Sequence, residues 1–264
     1  MKLHVGKYGP IYTTEISIKR INVVGGVNHS GKTTASKLIY CYVKSEIYGQ
    51  SLDELMANEG LNNTEYTGFS GNPDISDIFF IEEISILDLT NPDFFSIDHI
   101  RHLLDALQDK SKTDNTEIIS KIQNIIENNC TLRSSAGMKQ IGIIQMLLEN
   151  GSLKENSFLI IDEPESNLHP SWQVKFAQIL TLLAKDLNIY VYLNSHSPIF
   201  IEAMSLYAQY YDLLDSTAFY LTEEGYDGYV FKRINPKNMG EIYENLTQPY
   251  DDLDKLKAKI LFKE

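Results

Sequence analysis

The residues Gly26-Val27-Asn28-His29-Ser30-Gly31-Lys32-Thr33 constrain this chain more than any other eight. They fit the pattern G-x-x-x-x-G-K-[ST]. They stand between an apolar stretch ending in Val23-Val24 and a run from Lys32 to about Glu46 with helical periodicity. Glycines let a backbone curl until its N–H groups face one way. A helix that opens directly after such a loop adds its own free N–H groups and the positive end of its dipole. The product is a cradle for phosphate oxygens. Lys32 is set to reach β- and γ-phosphates, and the Thr33 hydroxyl is placed for Mg²⁺. His29 reads as a tolerated loop position rather than a catalyst.

A strand before the loop and a helix after it set the pattern for the rest of the chain. The N-terminal residues read as strand–turn–strand around Gly9-Pro10, with Ile16, Ile18 and Ile21 running on into Val23-Val24. Residues 49–75 are rich in Asn, Gly, Ser and Asp and read as loop. A short strand is expected over 78–81, with helices over 97–108, 117–127 and 136–149. Phe158-Leu159-Ile160-Ile161 is a four-residue apolar run, as expected of a strand buried on both faces. A helix follows Pro170, then a strand over 189–193, a helix from Pro198, two strands near 217–222 and 228–234, and two short helices. Strands alternating with helices predict an α/β fold: a mostly parallel sheet with an antiparallel N-terminal β element and a helical insertion.

With 264 residues the chain suits one large domain. It is read as a single domain over 1–264, with 49–130 as a loop-rich, helical, acidic insertion acting as a lid subdomain. The net charge is −13. Residues 51–130 hold sixteen acids against four bases, so almost all of the imbalance sits there. Such a segment repels nucleic acid and suits a basic partner, although a solvated, solubilising surface explains it equally. Strong non-specific DNA binding is not expected, since it needs Lys and Arg on phosphates. Cys41 and Cys130 lack metal-ligand spacing and read as reduced thiols. No apolar run approaches the roughly 20 residues that span a bilayer, and MKLHVGKYGP lacks a secretory apolar core. The expectation is a cytoplasmic protein with no membrane contact of its own.

Two further elements complete the chemistry. The apolar run 158–161 ends in Asp162-Glu163, which places two carboxylates at the ligand-binding edge of a parallel sheet. Asp162 is expected to hold Mg²⁺ with Thr33, and Glu163 to act as general base on water. The strand over 189–193 leads to Ser195-His196-Ser197, which can bring His196 to the γ-phosphate side. His99 and His102, with Asp98 and Asp105 nearby, are spaced for one helix face. They read as a solvated helix rather than a metal site.

In order, Gly26–Thr33, Ser134-Ser135-Ala136-Gly137-Met138-Lys139-Gln140, Phe158–Glu163, Pro164-Glu165-Ser166-Asn167-Leu168-His169-Pro170 and Asn194-Ser195-His196-Ser197-Pro198 resemble the motifs of ABC-type ATPases. The wording is most similar to a stand-alone prokaryotic branch related to the ATPase halves of overcoming-lysogenization-defect nucleases and to structural-maintenance-of-chromosomes heads. The likeness covers 1–48 and 130–250. It implies ATP and Mg²⁺ as cofactors. Gly26, Asn28, Ser30, Gly31, Lys32, Thr33 and Thr34 would lie around the phosphates, with Lys32, Glu163 and His196 catalytic. It implies that Ser135 and Gly137 cap the γ-phosphate of an opposite subunit in a head-to-tail dimer, with Asn167–His169 in the loop touching that subunit. The family's glutamine after the strand at 78–81 is missing. Glu82-Glu83 stand there, no Gln lies between Gln50 and Gln108, and Glu82 is the substitute candidate. Tyr8 and Tyr12 are candidates for stacking adenine.

The implied function is an ATPase whose ATP-bound dimer switches an effector, nuclease or toxin partner docked on the insertion, by analogy in phage defence. An ATP-gated scaffold with negligible turnover stays open, as do a transporter ATPase and direct DNA contact along a dimer groove.

Overall fold

The computed structural model describes residues 1–61, 67–71, 74–82, 97–109, 115–126 and 136–262. The described residues build one nine-stranded sheet. In chain order its strands are β1 (Lys2–Tyr8), β2 (Ile11–Ser17), β3 (Ile21–Gly25), β4 (Thr67–Ser70), β5 (Ile78–Ile81), β6 (Phe158–Asp162), β7 (Tyr190–Ser195), β8 (Thr217–Glu224) and β9 (Tyr229–Ile234). Across the sheet they lie in the order β4-β1-β2-β9-β8-β3-β7-β6-β5. The five from β8 to β5 run parallel. The other half is built on antiparallel pairs, β4 with β1, β1 with β2 and β9 with β8.

Every residue of β3, β5 and β6 is buried, so these strands carry no polar face. Successive side chains enter opposite layers. Val23, Leu159 and Ile161 join one apolar cluster; Val24, Phe158 and Ile160 join the other. Helix α1 (Lys32–Tyr48) packs its Leu38, Ile39 and Tyr40 into the second layer. Of the helices that follow, α2 (Leu52–Asn58) joins that layer too. The remaining six are α3 (Asp98–Gln108), α4 (Thr116–Ile126), α5 (Ala136–Glu149), α6 (Pro170–Asp186), α7 (Pro198–Tyr210) and α8 (Gly240–Phe262). They supply the first layer. The result is the α/β fold expected, a mostly parallel core with an antiparallel N-terminal element.

Three local readings change. The apolar run from Ile16 to Val24 is two strands rather than one. Asn22 folds back on Lys19, accepting from its N–H and donating to its carbonyl at 2.8 Å each, which breaks the chain between β2 and β3. Residues 49–75 are not all loop: Ser51 accepts from the Glu54 N–H to cap α2, and β4 pairs with β1. The tail is a single helix, α8, which continues through Pro249 with one backbone donor missing. No helix among the described residues is long and apolar enough to cross a membrane.

Candidate nucleotide site

Because β3, β7, β6 and β5 are parallel and in register, their C-terminal ends form one edge. Gly25 lies beside Ser195, Asp162 beside Asn194, and Ile81 beside Ile161. The residues that follow each strand therefore meet, although the sequence separates them by between 33 positions (Glu163 to His196) and 170 (Gly26 to His196).

The loop after β3 depends on its glycines. Gly26 has φ 144° and Gly31 φ 90°. A Cβ on Gly26 would stand 1.8 Å from Thr222 Oγ1, and one on Gly31 2.5 Å from an Ile11 side-chain carbon. Thr222 donates to Ser30 Oγ, and Ser30 donates to the Val27 carbonyl. These bonds turn the Ser30 side chain into the protein and lock the loop over the sheet. Lys32 Nζ lies along the loop, donating to the carbonyls of Gly26 (2.9 Å) and Val27 (2.6 Å). Burial holds the Lys32 ammonium below its ordinary pKa, against the opposing pull of Asp162, Glu163 and Glu165.

A cleft of about 470 Å³ opens here. Asn28, His29, Gly31, Lys32, Thr33 and Thr34 form one wall; Asp162, Glu163 and Pro10 form the rest. Gly26 and Ser30 support the loop from behind. His29 lines the cleft with φ 64°, so it is part of the wall despite its reading as an indifferent position. Pro10 lines the cleft, whereas Tyr8 and Tyr12 do not.

Thr33 Oγ1 donates to Asp162 Oδ2. Asn194 Nδ2 donates to Asp162 Oδ1 at 3.0 Å and to Ser36 Oγ at 2.8 Å. Burial pushes the Asp162 carboxyl up; the bonds from Thr33 and Asn194 resist, while the charges of Glu82 and Glu163 add to the rise, and the pKa reaches about 6. A hydroxyl and a buried carboxylate hydrogen-bonded to it form a hard-oxygen pair that fits Mg²⁺. That ion takes one or two carboxylates and fills its other positions with water and phosphate. Asn194 and Ser36 had no role in the sequence reading. Their signal was position alone: Asn194 ends the strand beside Asp162.

Glu163 holds φ 52°, an uncommon conformation for a residue with a side chain. Its N–H bonds the Asn194 carbonyl at 2.9 Å, and Ser166 Oγ donates to its Oε2 at 2.9 Å. Its other oxygen lies 3.8 Å from His196 Nδ1. His196 is anchored from below by Glu165, whose Oε1 accepts the N–H groups of His196 (2.7 Å) and Ser197 (3.0 Å) and lies 3.3 Å from the ring. Burial raises the Glu165 pKa. Sequence reasoning quoted Glu165 without giving it this anchoring work.

The remaining expectations fall elsewhere. Ser135 lies outside the described residues. Gly137 falls in the first turn of α5. Asn167 has φ 60°, and His169 caps α6 by accepting from the Ser171 N–H. His99 is not on a solvated face. It is 1% exposed, with Nδ1 2.7 Å from Glu59 Oε2 and Nε2 3.4 Å from Glu82 Oε2. His102 bonds Asp77 at 3.1 Å and stacks on Phe79. No group of three or more His, Cys, Asp or Glu able to hold a metal occurs among the described residues. Glu82 therefore stands at the end of β5 tied to His99 and to Lys37, 3.6 Å away.

Phosphate loop, carboxylate pair and histidine at one sheet edge can be compared with known folds. The chain is similar over its whole length to cbiO1 from Clostridium perfringens, part of the ABC transporter complex cbiONQ. The TM-score is 0.53 at 16% identity, covering 97% of this chain and 98% of that one. This is a P-loop protein of the ABC-ATPase fold. A second ATPase of that fold, the ATP-binding cassette MJ0796, solved as a dimer in a post-hydrolysis state with ADP and Pi, gives a TM-score of 0.50 at 14% identity and covers 89% and 99%. The chain spans 41% of the archaeal ribosome recycling factor aABCE1, at 14% identity and TM-score 0.47 with 86% of this chain covered. A family model described as "AAA domain, putative AbiEii toxin, Type IV TA system" matches residues 80–202. No curated protein matches its sequence significantly.

Proposed function

We propose that the protein binds Mg–ATP at this edge and hydrolyses it as a head-to-tail dimer, and that the dimer switches a partner protein docked on the segment 49–130. The observation that carries this reading is the convergence of Lys32, Thr33, Asp162 and Glu163 on one cleft, with His196 Nδ1 3.8 Å from Glu163. In this reading Ser135 and Gly137 of each subunit act on the nucleotide of the other. The dimeric state of the similar cassette MJ0796 supports this.

In this reading the phosphates lie on the N–H groups of the loop and of the first turn of α1. Lys32 leaves the Gly26 and Val27 carbonyls for the β- and γ-oxygens. Thr33 and Asp162 hold Mg²⁺, which supplies charge neutralisation at the phosphates. Glu163, its Oε2 fixed by Ser166, accepts the proton of the attacking water as the oxygen bonds to the γ-phosphorus and ADP departs. His196, braced by Glu165, orients Glu163 and the γ-phosphate. A cytoplasmic role beside an effector or toxin, in phage defence or a toxin–antitoxin system, accords with the description of the matching family.

The engagement of Glu82 with His99 and Lys37, where the family places a glutamine, favours a second reading: an ATP-gated scaffold with negligible turnover. Steady-state hydrolysis against protein concentration separates the two. Specific activity that rises with concentration and falls by about 10³ or more in Lys32→Ala supports a composite catalytic site. Glu163→Gln should bind ATP and accumulate as a dimer. ATP binding with no turnover at any concentration moves the assignment to the scaffold, and an ATP-bound Glu163→Gln that stays monomeric removes the dimer.

A further inference from the structure

Helix α8 begins docked and ends bare. Ile242 is fully buried, and Leu246 packs against the main core. Beyond Pro249 the apolar residues face solvent: Tyr250, Leu253, Leu256 and Ile260 are 50–68% exposed. Their spacing is that of a helix-pairing seam. Leu246, Leu253 and Ile260 are seven apart, as are Pro249 and Leu256. The ion pairs Lys255–Asp252 and Lys257–Asp254 join exposed neighbours on the same helix and leave the seam open.

The charge pattern says what covers it. Along α8 the acids Glu241, Glu244, Asp251, Asp252 and Asp254 come first, and Lys255, Lys257 and Lys259 follow. A second copy lying parallel would set Asp252 beside the partner's Lys257, but it would align the two helix dipoles and stack the acidic halves together and the basic halves together. A second copy lying antiparallel sets each acidic half beside a basic half and opposes the helix dipoles. The heptad then places Leu253 on the partner's Leu256, and Asp252 beside the partner's Lys259. It also lays Tyr250 against the stem of the partner's Lys257. The shared stretch from Pro249 to Ile260 is about 18 Å long. The two heads sit at its opposite ends.

We propose that α8 is a self-association element: residues 249–260 of two copies pair antiparallel and join two heads without nucleotide. This interface is separate from the ATP-dependent dimer above, and its test does not depend on that reading.

The test is sedimentation of the full chain without ATP, over a concentration series. The wild type should dimerise, and Lys32→Ala should dimerise equally, which distinguishes this contact from an ATP-driven one. Leu253→Glu with Leu256→Glu should weaken the dimer at least about a hundredfold. Both positions are exposed, so an unchanged melting temperature confirms that the variant is folded. Asp252→Lys should weaken it about tenfold, and adding Lys259→Asp should restore it. A chain that stays monomeric up to its solubility limit overturns the proposal. So does a dimer indifferent to the two leucine changes, or a charge exchange no better than the single reversal.

Discussion

Two clusters of buried charge sit at the ends of neighbouring strands, and they have opposite balances. At the end of β6, Asp162 is 8% exposed and receives hydrogen bonds from neutral groups, Thr33 and Asn194, while Glu82 and Glu163 add like charge. At the end of β5, Glu82 is partly buried, which by itself would raise its pKa. The bond and charge of His99 and the charge of Lys37 outweigh burial and hold it below the ordinary value. His99 responds in kind: burial pulls it down, but Glu59 and Glu82 raise it above the usual imidazole value. The second cluster supplies its own cations. In the first, Lys32 is the facing cation and burial still wins over it, so the Asp162 carboxyl stays raised. Burial alone therefore does not separate the two acids; the balance of hydrogen bonds and charges around each does.

The largest expected effect strikes the balanced cluster. Glu59 caps the end of α2, accepts the His99 N–H at 2.8 Å and holds the ring from beside it, so it ties α2 to α3, and it lies 3.8 Å from Lys37 of α1. Glu59→Ala should cost about 3–5 kcal/mol, since it strands a buried partner. Thermal unfolding should fall by roughly 6–20 °C for a chain of this size. A shift within 2 °C, about what a surface change gives, would show that the cluster does not hold the insertion.

The unbalanced cluster should answer in the opposite sense. Asp162 has a folded pKa of about 6 against an ordinary 3.8, so its ionisation destabilises the metal-free fold. The penalty is absent below about pH 4, grows through the window between the two values and is complete above about pH 6. Asp162→Asn should make the metal-free protein more stable at pH 7–8, by up to about 3 kcal/mol, while abolishing Mg²⁺-dependent turnover. Denaturant unfolding at pH 4 and pH 7.5 checks it; an asparagine variant less stable than wild type at the higher pH would mean the carboxylate is already compensated.

A smaller effect refines the picture of how Asp162 is aimed. Asn194→Ala removes the donor that ties Asp162 to Ser36 and should raise the Mg²⁺ concentration needed for turnover about 10- to 100-fold, with little change in ATP affinity measured without metal. Equal losses in both would assign Asn194 to packing.

Much of this was legible from residues alone. The glycine loop, the apolar runs of β3 and β6 and the acids after β6 each carry local signals: a φ only glycine adopts easily, a strand with no polar face, a carboxylate at a strand end. These are properties of a few consecutive residues, so one sequence suffices to read them. Asn22 turning back on Lys19 escaped because an apolar alternation looks the same whether or not a side chain interrupts it. The pairing of Glu59 with His99 escaped because 40 residues separate them. The helix spacing of His99 and His102 could not say which face of the sheet would receive them.

The sequence by itself determined that this chain would build an α/β sheet around a phosphate loop, because backbone conformation and hydrophobic periodicity are local. Only the tertiary structure decided which polar groups share a low-dielectric edge. The register of β3, β7, β6 and β5 sets Asn194 beside Asp162 and brings Glu82 and His99 in behind it. Charge strength there depends on distance and desolvation, and no position along the chain encodes either one.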